Sequence, residues 1–550
     1  MKNSVLKVHP ADNVVVALQD LAPGSNVALN GTAYTILEPI PAKHKFAGQD
    51  FAEGDEIRMY GVLVGKATQP ISAGTRISRE NVSHSASNYA VGERNTNWDK
   101  PDVSEFKNRT FNGFHRNDGK VGTRNYWLVL PLVFCENRNI NVIREAMLEQ
   151  LGYVSGRHFS VNTNHLIELY RNGADATAIQ EADIIRDAAE LQRNRLFPNV
   201  DGIKFLTHEG GCGGIRQDSE TLCRLLAGYI THPNVAGATV LSLGCQNAQF
   251  RLLETALQEF DSNFDKPLFV LEQQKSKSER DFIADAVKQT FIGLIEANKH
   301  VRRPAPLSKL VLGLECGGSD GFSGISANPA LGYASDLLVT LGGSAILSEF
   351  PELNGVEQEL INRCESDEKA EKFAGIMRSY AQKAVDVGSG FDMNPSPGNI
   401  KDGLITDAMK SAGAAKKGGS SPVTDVLDYT EQVTRPGLNL LCTPGNDVES
   451  TTGLAGSGAN LIVFTTGLGT PTGNPVAPVV KMASNTALAQ RMADIIDIDA
   501  GTIISGEDTI ESKGRALLDL LIQVANGETV PQAERLGQDD FIPWKRGVSL

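Results

Sequence analysis

Beginning near residue 111, the chain repeats one phrase: an apolar run, a polar or thiol side chain at its end, a glycine-rich or polar turn, then a stretch of helical periodicity. YWLVLPLVFCEN, GIKFLTHEGGCGG, ATVLSLGCQN and PLFVLEQQ each open this way, and IREAMLEQL, SETLCRLLAGYI and SERDFIADAVKQTFIGLIEANK supply helices. Strands alternating with helices bury both sheet faces only as a mostly parallel sheet covered on two sides, so the pattern predicts an α/β fold. In such a sheet, ligands bind outside the carboxyl ends of the strands, where these polar and thiol groups fall.

A second block of the same kind follows the basic, proline-bearing KHVRRPAPLSK at 299–309. It runs through KLVLGLECGG, SDLLVTLGGSAILSEF, a charged helical stretch at 356–385, GLNLLCTPGND and ANLIVFTTGLG to a helix near 514–525. The first 90 residues differ: short β-like runs (NVVVAL, GSNVAL, AYTIL, EIRMYGVLVGKA) alternate with Pro and Gly turns, which predicts a small all-β module. The expected organisation is therefore a β module over 1–90, a polar linker over 91–110, and two α/β domains over 111–300 and 301–550. At 550 residues the chain is too long for one ordinary core.

A net charge of −14 disfavours nucleic acid or an anionic membrane as partner. An anionic metabolite remains compatible, if a local basic residue, a metal ion or a helix N-terminus receives it. The N-terminus has no apolar segment followed by a small-residue cleavage site, and no run approaches the roughly 18 apolar residues of a membrane span, so a cytoplasmic protein is expected. Seven cysteines spread over the chain make no disulfide framework; they read as buried thiols, metal ligands or reactive groups.

Three motifs concentrate chemistry. In THEGGCGG, His208, Glu209 and Cys212 lie within five residues among four glycines, and all three are possible ligands of a divalent transition metal. In LECGGSDG, a strand ends in Glu315 and Cys316, followed by Gly317, Gly318, Ser319 and Asp320. Cys135, Cys212, Cys245 and Cys316 each follow a predicted strand; no C-x-x-C is present, which argues against structural zinc. Any one of these cysteines also reads as a packed thiol. Thiolates gathered by folding could hold an iron-sulfur cluster, so a cluster-dependent hydro-lyase stays open. His44 and His84 fall in the β module, and the Gly, Pro and Asn loops 394–399, 442–447 and 464–485 follow later strands, the last carrying Lys481.

Taken together, NGFHRNDGKVGTRNYWLVLP, THEGGCGG, RLLAGYITHPNVAGATVLSLGCQNAQ, LECGGSDGFSGISANPALGYASDLLVTLGGSAILSEFPELNG, NPSPGN and ANLIVFTTGLGTPTGNPVAPVVKMASNT resemble the sugar-acid dehydratases typified by altronate and galactarate dehydratase. The resemblance is ordered and spans almost the whole chain. It implies that the first 90 residues are a SAF module of β-clip type, with His44 in its Gly-His-Lys-like motif. Three departures stand out: LEQQKSKSER lacks the glycine pair usual there, Gly467-Leu468-Gly469 lacks an arginine, and Phe350 replaces a threonine.

The implied reaction is β-elimination of water from an aldonate or aldarate to a 2-keto-3-deoxy acid, here D-altronate to 2-keto-3-deoxy-D-gluconate. The C2 proton is poorly acidic, so a divalent metal is expected to stabilise the enediolate, and the resemblance implies Fe2+ with Mn2+ as substitute. The resemblance implies His44, His84, Glu315, Asp320 and Glu349 as catalytic groups. It implies Arg124, Gly317, Gly318, Ser319 and Lys481 as substrate contacts. The implied metal ligands come from His44, His208, Glu209, Cys212, Cys245 and Cys316. The expected partner is a small sugar acid, with a homo-oligomer allowed. Alternatives are a galactarate or other aldonate dehydratase, a sulfolactate lyase releasing sulfite, an iron-sulfur dehydratase, and a sugar-acid-binding protein without turnover.

Overall fold

The computed structural model describes residues 4–153, 159–187 and 195–549. The N-terminal part is all-β: Val5–Leu6, Val14–Ala17 and Lys45–Ala47 form one antiparallel sheet, Asn26–Leu29 and Thr32–Thr35 a hairpin, and Glu56–Met59, Val62–Ala67 and Val82–Ser83 another sheet. The Asn30-Gly31 and Tyr60-Gly61 pairs close two-residue turns with both residues at positive φ, the geometry that matches the twist of paired strands.

The polar stretch expected to be a linker carries no regular secondary structure from 84 to 103, yet it is not free. It is strapped to the C-terminal α/β unit. Arg94 pairs with Asp367 at 2.7 Å, Asn95 N–H donates to Asn362 O, and the Trp98 indole donates to Ser420 Oγ. An antiparallel ribbon of Val121–Gly122, Thr110–His115 and Arg303–Pro306 then joins the two α/β units.

The first α/β unit holds four parallel strands in the order Gly202–Phe205, Tyr126–Pro131, Val235–Ser242, Leu268–Glu272. All six residues of Tyr126–Pro131 and all eight of Val235–Ser242 are buried, as expected for strands covered on both faces. Trp127 fills one face; a Cβ at Gly293 in the covering helix would lie 2.0 Å from its ring.

The second unit holds seven parallel strands in the order Val423–Leu427, Gly437–Leu441, Ser344–Leu347, Val311–Cys316, Leu461–Thr466, Val479–Ala483, Ile498–Asp499. From Val311–Cys316 the chain builds one side of the sheet, placing Val423–Leu427 at the edge before Gly437–Leu441 fills the gap inside it, and from Leu461–Thr466 it builds the other side outward. The crevice outside these two strand ends is thus a topological switch point, where α/β sheets bind ligands. Among the described residues, no helix is long and apolar enough to cross a membrane.

Candidate active site

Val311–Cys316 delivers Glu315 and Cys316 to the switch point, with both side chains out of solvent. Ser344–Leu347 delivers Ser348 and Glu349; Glu349 sits at φ 62°, a left-handed conformation unusual for a side-chain-bearing residue, and its N–H donates to Thr443 Oγ1 at 2.8 Å. Gly437–Leu441 leads to the helix Asp447–Gly456, which brings Asp447 and Ser450. Two lysines arrive from Asp407–Ala414 and the turn after it: Lys410 and Lys417.

These groups form one buried polar cluster. Lys417 Nζ lies 2.6 Å from Glu349 Oε2 and 2.9 Å from Cys316 Sγ. Lys410 Nζ lies 2.6 Å from Glu352 Oε1 and 2.9 Å from Asn394 Oδ1. Ser450 and Ser348 hydroxyls reach Glu315 Oε2 at 2.7 and 3.1 Å. Gly317 has no room for a side chain, because an added Cβ would stand 2.2 Å from Asp447 Oδ2.

The electrostatics are unbalanced. Four carboxylates, Glu315, Glu349, Glu352 and Asp447, face two ammonium groups, Lys410 and Lys417, leaving two surplus negative charges if all are ionised. Burial, then Glu349, pushes the Glu315 carboxyl well up; burial, then Glu352, raises Glu349. Asp447, half-buried at the rim, is pushed up to about 7 by burial and by Glu349 and Glu352. Burial opposes ionisation of Glu352 too, but Lys410 and Lys417 hold it below its ordinary value.

Glu315 Oε1 and Glu349 Oε1 are buried with no hydrogen-bond partner. Glu315, Glu349 and Asp447 each offer an oxygen within 4.8 Å of the others, and a second such group joins Cys316, Glu349 and Glu352. Orphaned carboxylate oxygens beside a surplus of two negative charges are what a bound divalent cation would satisfy, and all-oxygen donors suit a hard or borderline ion.

Three family models tile the chain: the Altronate/galactarate dehydratase SAF domain over residues 3–85, the D-galactarate dehydratase/Altronate hydrolase second domain over 113–298, and the D-galactarate/Altronate dehydratase C-terminal domain over 307–549. The chain belongs to the altronate/galactarate dehydratase family. It is 34% identical over 548 residues to the altronate dehydratase of Bacillus subtilis (strain 168), covering 100% of both chains. The altronate dehydratase of Escherichia coli (strain K12) is 33% identical over 546 residues, covering 99% of each. The galactarate dehydratase (L-threo-forming) of the same strain is 31% identical over 544 residues, covering 97% of this chain and 94% of its own. Dehydratases of this family are hydro-lyases, and the chain is an enzyme of that class.

Within this dehydratase, the residues expected from sequence separate into groups. Glu315, Cys316, Gly317, Gly318, Ser319 and Glu349 gather at the switch point. His44 and His84 lie half-buried on the SAF side. His44 Nε2 is 3.1 Å from Lys401 O, and burial lowers its pKa; burial also lowers that of His84, with Asp392 opposing. The buried His84 Nδ1 has no hydrogen-bond partner. Glu209, Cys212 and Cys245 are exposed at the carboxyl end of the other sheet.

Four of the expected residues are held in other contacts. Arg124 is buried, pairs with Glu534 at 2.7 Å and donates to the carbonyls of Thr123 and Val524. Lys481 is fully buried, donates to Thr472 O and lies 4.5 Å from the centre of the Phe464 ring. His208 has both ring nitrogens engaged: Nε2–H donates to Pro131 O at 2.8 Å and Nδ1 accepts from Gly210 N–H at 3.1 Å. Asp320 is tied on both oxygens. Its Oδ1 accepts from Phe322 N–H, Ser323 N–H, Ser323 Oγ and Ser484 Oγ, and its Oδ2 accepts from Asn485 and pairs with Lys43 at 3.0 Å.

Sequence reasoning missed Lys410, Lys417, Glu352 and Ser450. Asp447 stood within a noted loop, CTPGND, but nothing in that loop distinguished it from a turn aspartate. The two lysines lie in AMKSAGAAKKGG, a stretch with no motif to single them out, and lysine is almost never fully buried unless paired.

Proposed function

We propose that this chain dehydrates an aldonate, D-altronate to 2-keto-3-deoxy-D-gluconate, at the Glu315–Glu349–Asp447 pocket. The observation that carries the reading is the pair of orphaned carboxylate oxygens on Glu315 and Glu349, buried where two negative charges are surplus. Two full-length relatives bear the name altronate dehydratase, which favours an aldonate over an aldarate.

Glu315 and Glu349 would hold a divalent cation, Fe2+ or Mn2+. When bound, such an ion supplies Lewis acidity toward a carboxylate and its neighbouring hydroxyl. Asp447 is the proton acceptor at C2: it is half-buried at the rim and offers an oxygen within 4.8 Å of both glutamates. Lys417, kept protonated by Cys316, Glu349, Glu315 and Glu352 against the opposing effect of burial, places a fixed positive charge where the enediolate develops. Lys410, shared between Glu352 and Asn394, is the donor to the departing C3 hydroxyl.

The test is a panel of hexonates and hexarates, assayed for 2-keto-3-deoxy products with and without Fe2+ or Mn2+. D-Altronate should turn over, and Glu315→Gln should lose both bound metal and activity while keeping its unfolding midpoint. Asp447→Asn should abolish solvent deuterium exchange at C2. Inactivity on every acid with either metal would refute the assignment, as would an Asp447→Asn variant exchanging at the wild-type rate.

A further inference from the structure

Of the seven cysteines, four are buried (Cys223, Cys316, Cys364 and Cys442) and three are exposed (Cys135, Cys212 and Cys245). Free cysteine is among the most buried residue types, so three exposed thiols in one domain need a reason. All three follow strands of the four-stranded sheet, and those strands, Gly202–Phe205, Tyr126–Pro131 and Val235–Ser242, are consecutive neighbours in it. Parallel strands send their carboxyl ends the same way, and neighbours lie about 4.8 Å apart, so the three loops converge on one small patch.

The loops are also locked to one another. Phe134 N–H donates to Gly210 O and Ala248 N–H to Gly211 O, both at 3.1 Å, while Leu132 N–H donates to Leu241 O at 2.8 Å. Gly211, at φ 96°, lies so close to the first loop that an added Cβ would stand 2.1 Å from Leu132 O. Each of these contacts sits within three residues of one of the cysteines. Gln274 Nε2 donates to Cys245 Sγ at 3.3 Å.

We propose that Cys135, Cys212 and Cys245 form a three-thiolate site that takes a four-iron, four-sulfur cluster, leaving one iron without a protein thiolate. A single zinc ion fits less well. Structural zinc sites typically draw their cysteines in closely spaced pairs, whereas these three come singly from three loops. Iron-sulfur clusters are held by cysteine thiolates, and three neighbouring loops that each bring one thiol to the same end of the sheet supply them. A cavity of about 380 Å³ begins at Cys212 and Glu209 and runs under Tyr429, Phe541 and Trp544 to Lys545, giving the open iron access to a small anionic ligand.

This site is separate from the carboxylate pocket, so its test is independent of the dehydratase assignment. Full-length protein purified without oxygen, or reconstituted with Fe2+ and sulfide, should carry about four iron and four acid-labile sulfide per chain with broad absorption near 400 nm. Cys135→Ser, Cys212→Ser and Cys245→Ser should each lose that absorption, while Cys364→Ser and Glu315→Gln keep it. Wild type supplies a second measurement free of folding effects: thiol reagent should label three cysteines before reconstitution and none after. Zinc in place of iron and sulfide, absorption that survives all three serine variants, or labelling unchanged by reconstitution would each overturn the proposal.

Discussion

Asp320→Asn tests whether this carboxylate is a clamp or a reacting group. With the native contacts retained, the amide oxygen keeps the four donors at Oδ1, from 2.7 Å (Ser484 Oγ) to 3.2 Å (Phe322 N). The amide nitrogen then replaces Oδ2 and faces two donors, Asn485 Nδ2 at 3.0 Å and Lys43 Nζ at 3.0 Å. A buried charge-assisted bond is worth about 1.5–3 kcal/mol, and a buried donor left unsatisfied costs about 1–3 kcal/mol, so the variant should lose about 3–5 kcal/mol. Lys43→Met is milder, about 1–2 kcal/mol, because Asn485 still satisfies Oδ2 and the lysine is partly solvated. Asp320 joins Gly321–Ser323 to Lys43, and the neighbouring Lys45 Nζ donates to Gly403 O at 2.7 Å, so the loss should loosen the SAF domain first. Urea unfolding and limited proteolysis across 84–103 measure this: the Asp320→Asn midpoint should fall more than that of Lys43→Met, with earlier cleavage. Unchanged stability with lost turnover would refute the clamp and restore Asp320 as a reacting group.

Two further outcomes follow from buried groups. His208 and His232 are held at about 4 and about 3 by burial, each with Nε2–H on a carbonyl and Nδ1 accepting an N–H. Their folded pKa values lie below the unfolded value of about 6.5, so the unfolded chain binds more protons between these limits. The stability they lend is therefore complete above about pH 6.5 and is lost as pH falls toward 4 and then 3, about 3 kcal/mol for His208. His208→Gln should flatten the pH dependence of the urea midpoint between about pH 6.5 and 4; an unchanged slope would count against a neutral buried imidazole. Gly317→Ala should displace Asp447, because the new methyl would lie 2.2 Å from Oδ2 and 2.6 Å from Phe464 Cζ. Turnover should collapse with only about 1–3 kcal/mol lost in stability; wild-type kcat would show that Asp447 is not at the reacting centre.

The short β-like runs between Pro and Gly turns in the first 90 residues and the strand-then-helix phrase after 111 were legible because turn residues punctuate the strands and strands buried on both faces read as continuous apolar runs. Glu315, Cys316 and Glu349 were legible for a related reason: a polar residue ending a strand that is otherwise wholly buried has no packing role and must meet something at the sheet's edge. Charge at other positions carries no such sign. Arg124 and Lys481 were expected at the substrate carboxylate and are buried structural ties, whereas Lys410 and Lys417 carry no mark in the sequence and are the ammonium groups of the pocket. The difference is set by partners distant in sequence: Glu534 lies 410 residues from Arg124, and Cys316 lies 101 residues from Lys417.

Distant partners also explain why one motif divided. THEGGCGG placed three metal-binding side chains within five residues, but proximity along the chain fixes only the local turn. The turn itself consumes His208, tying both ring nitrogens to backbone, and leaves Cys212 exposed. What Cys212 can join then depends on which strands lie beside its own. Sheet order puts the loops of Cys135 and Cys245 there and leaves Cys316 to the other sheet, among carboxylates and lysines. Four cysteines in equivalent positions in sequence thus part into an exposed trio at the end of one sheet and one buried thiol at the end of the other.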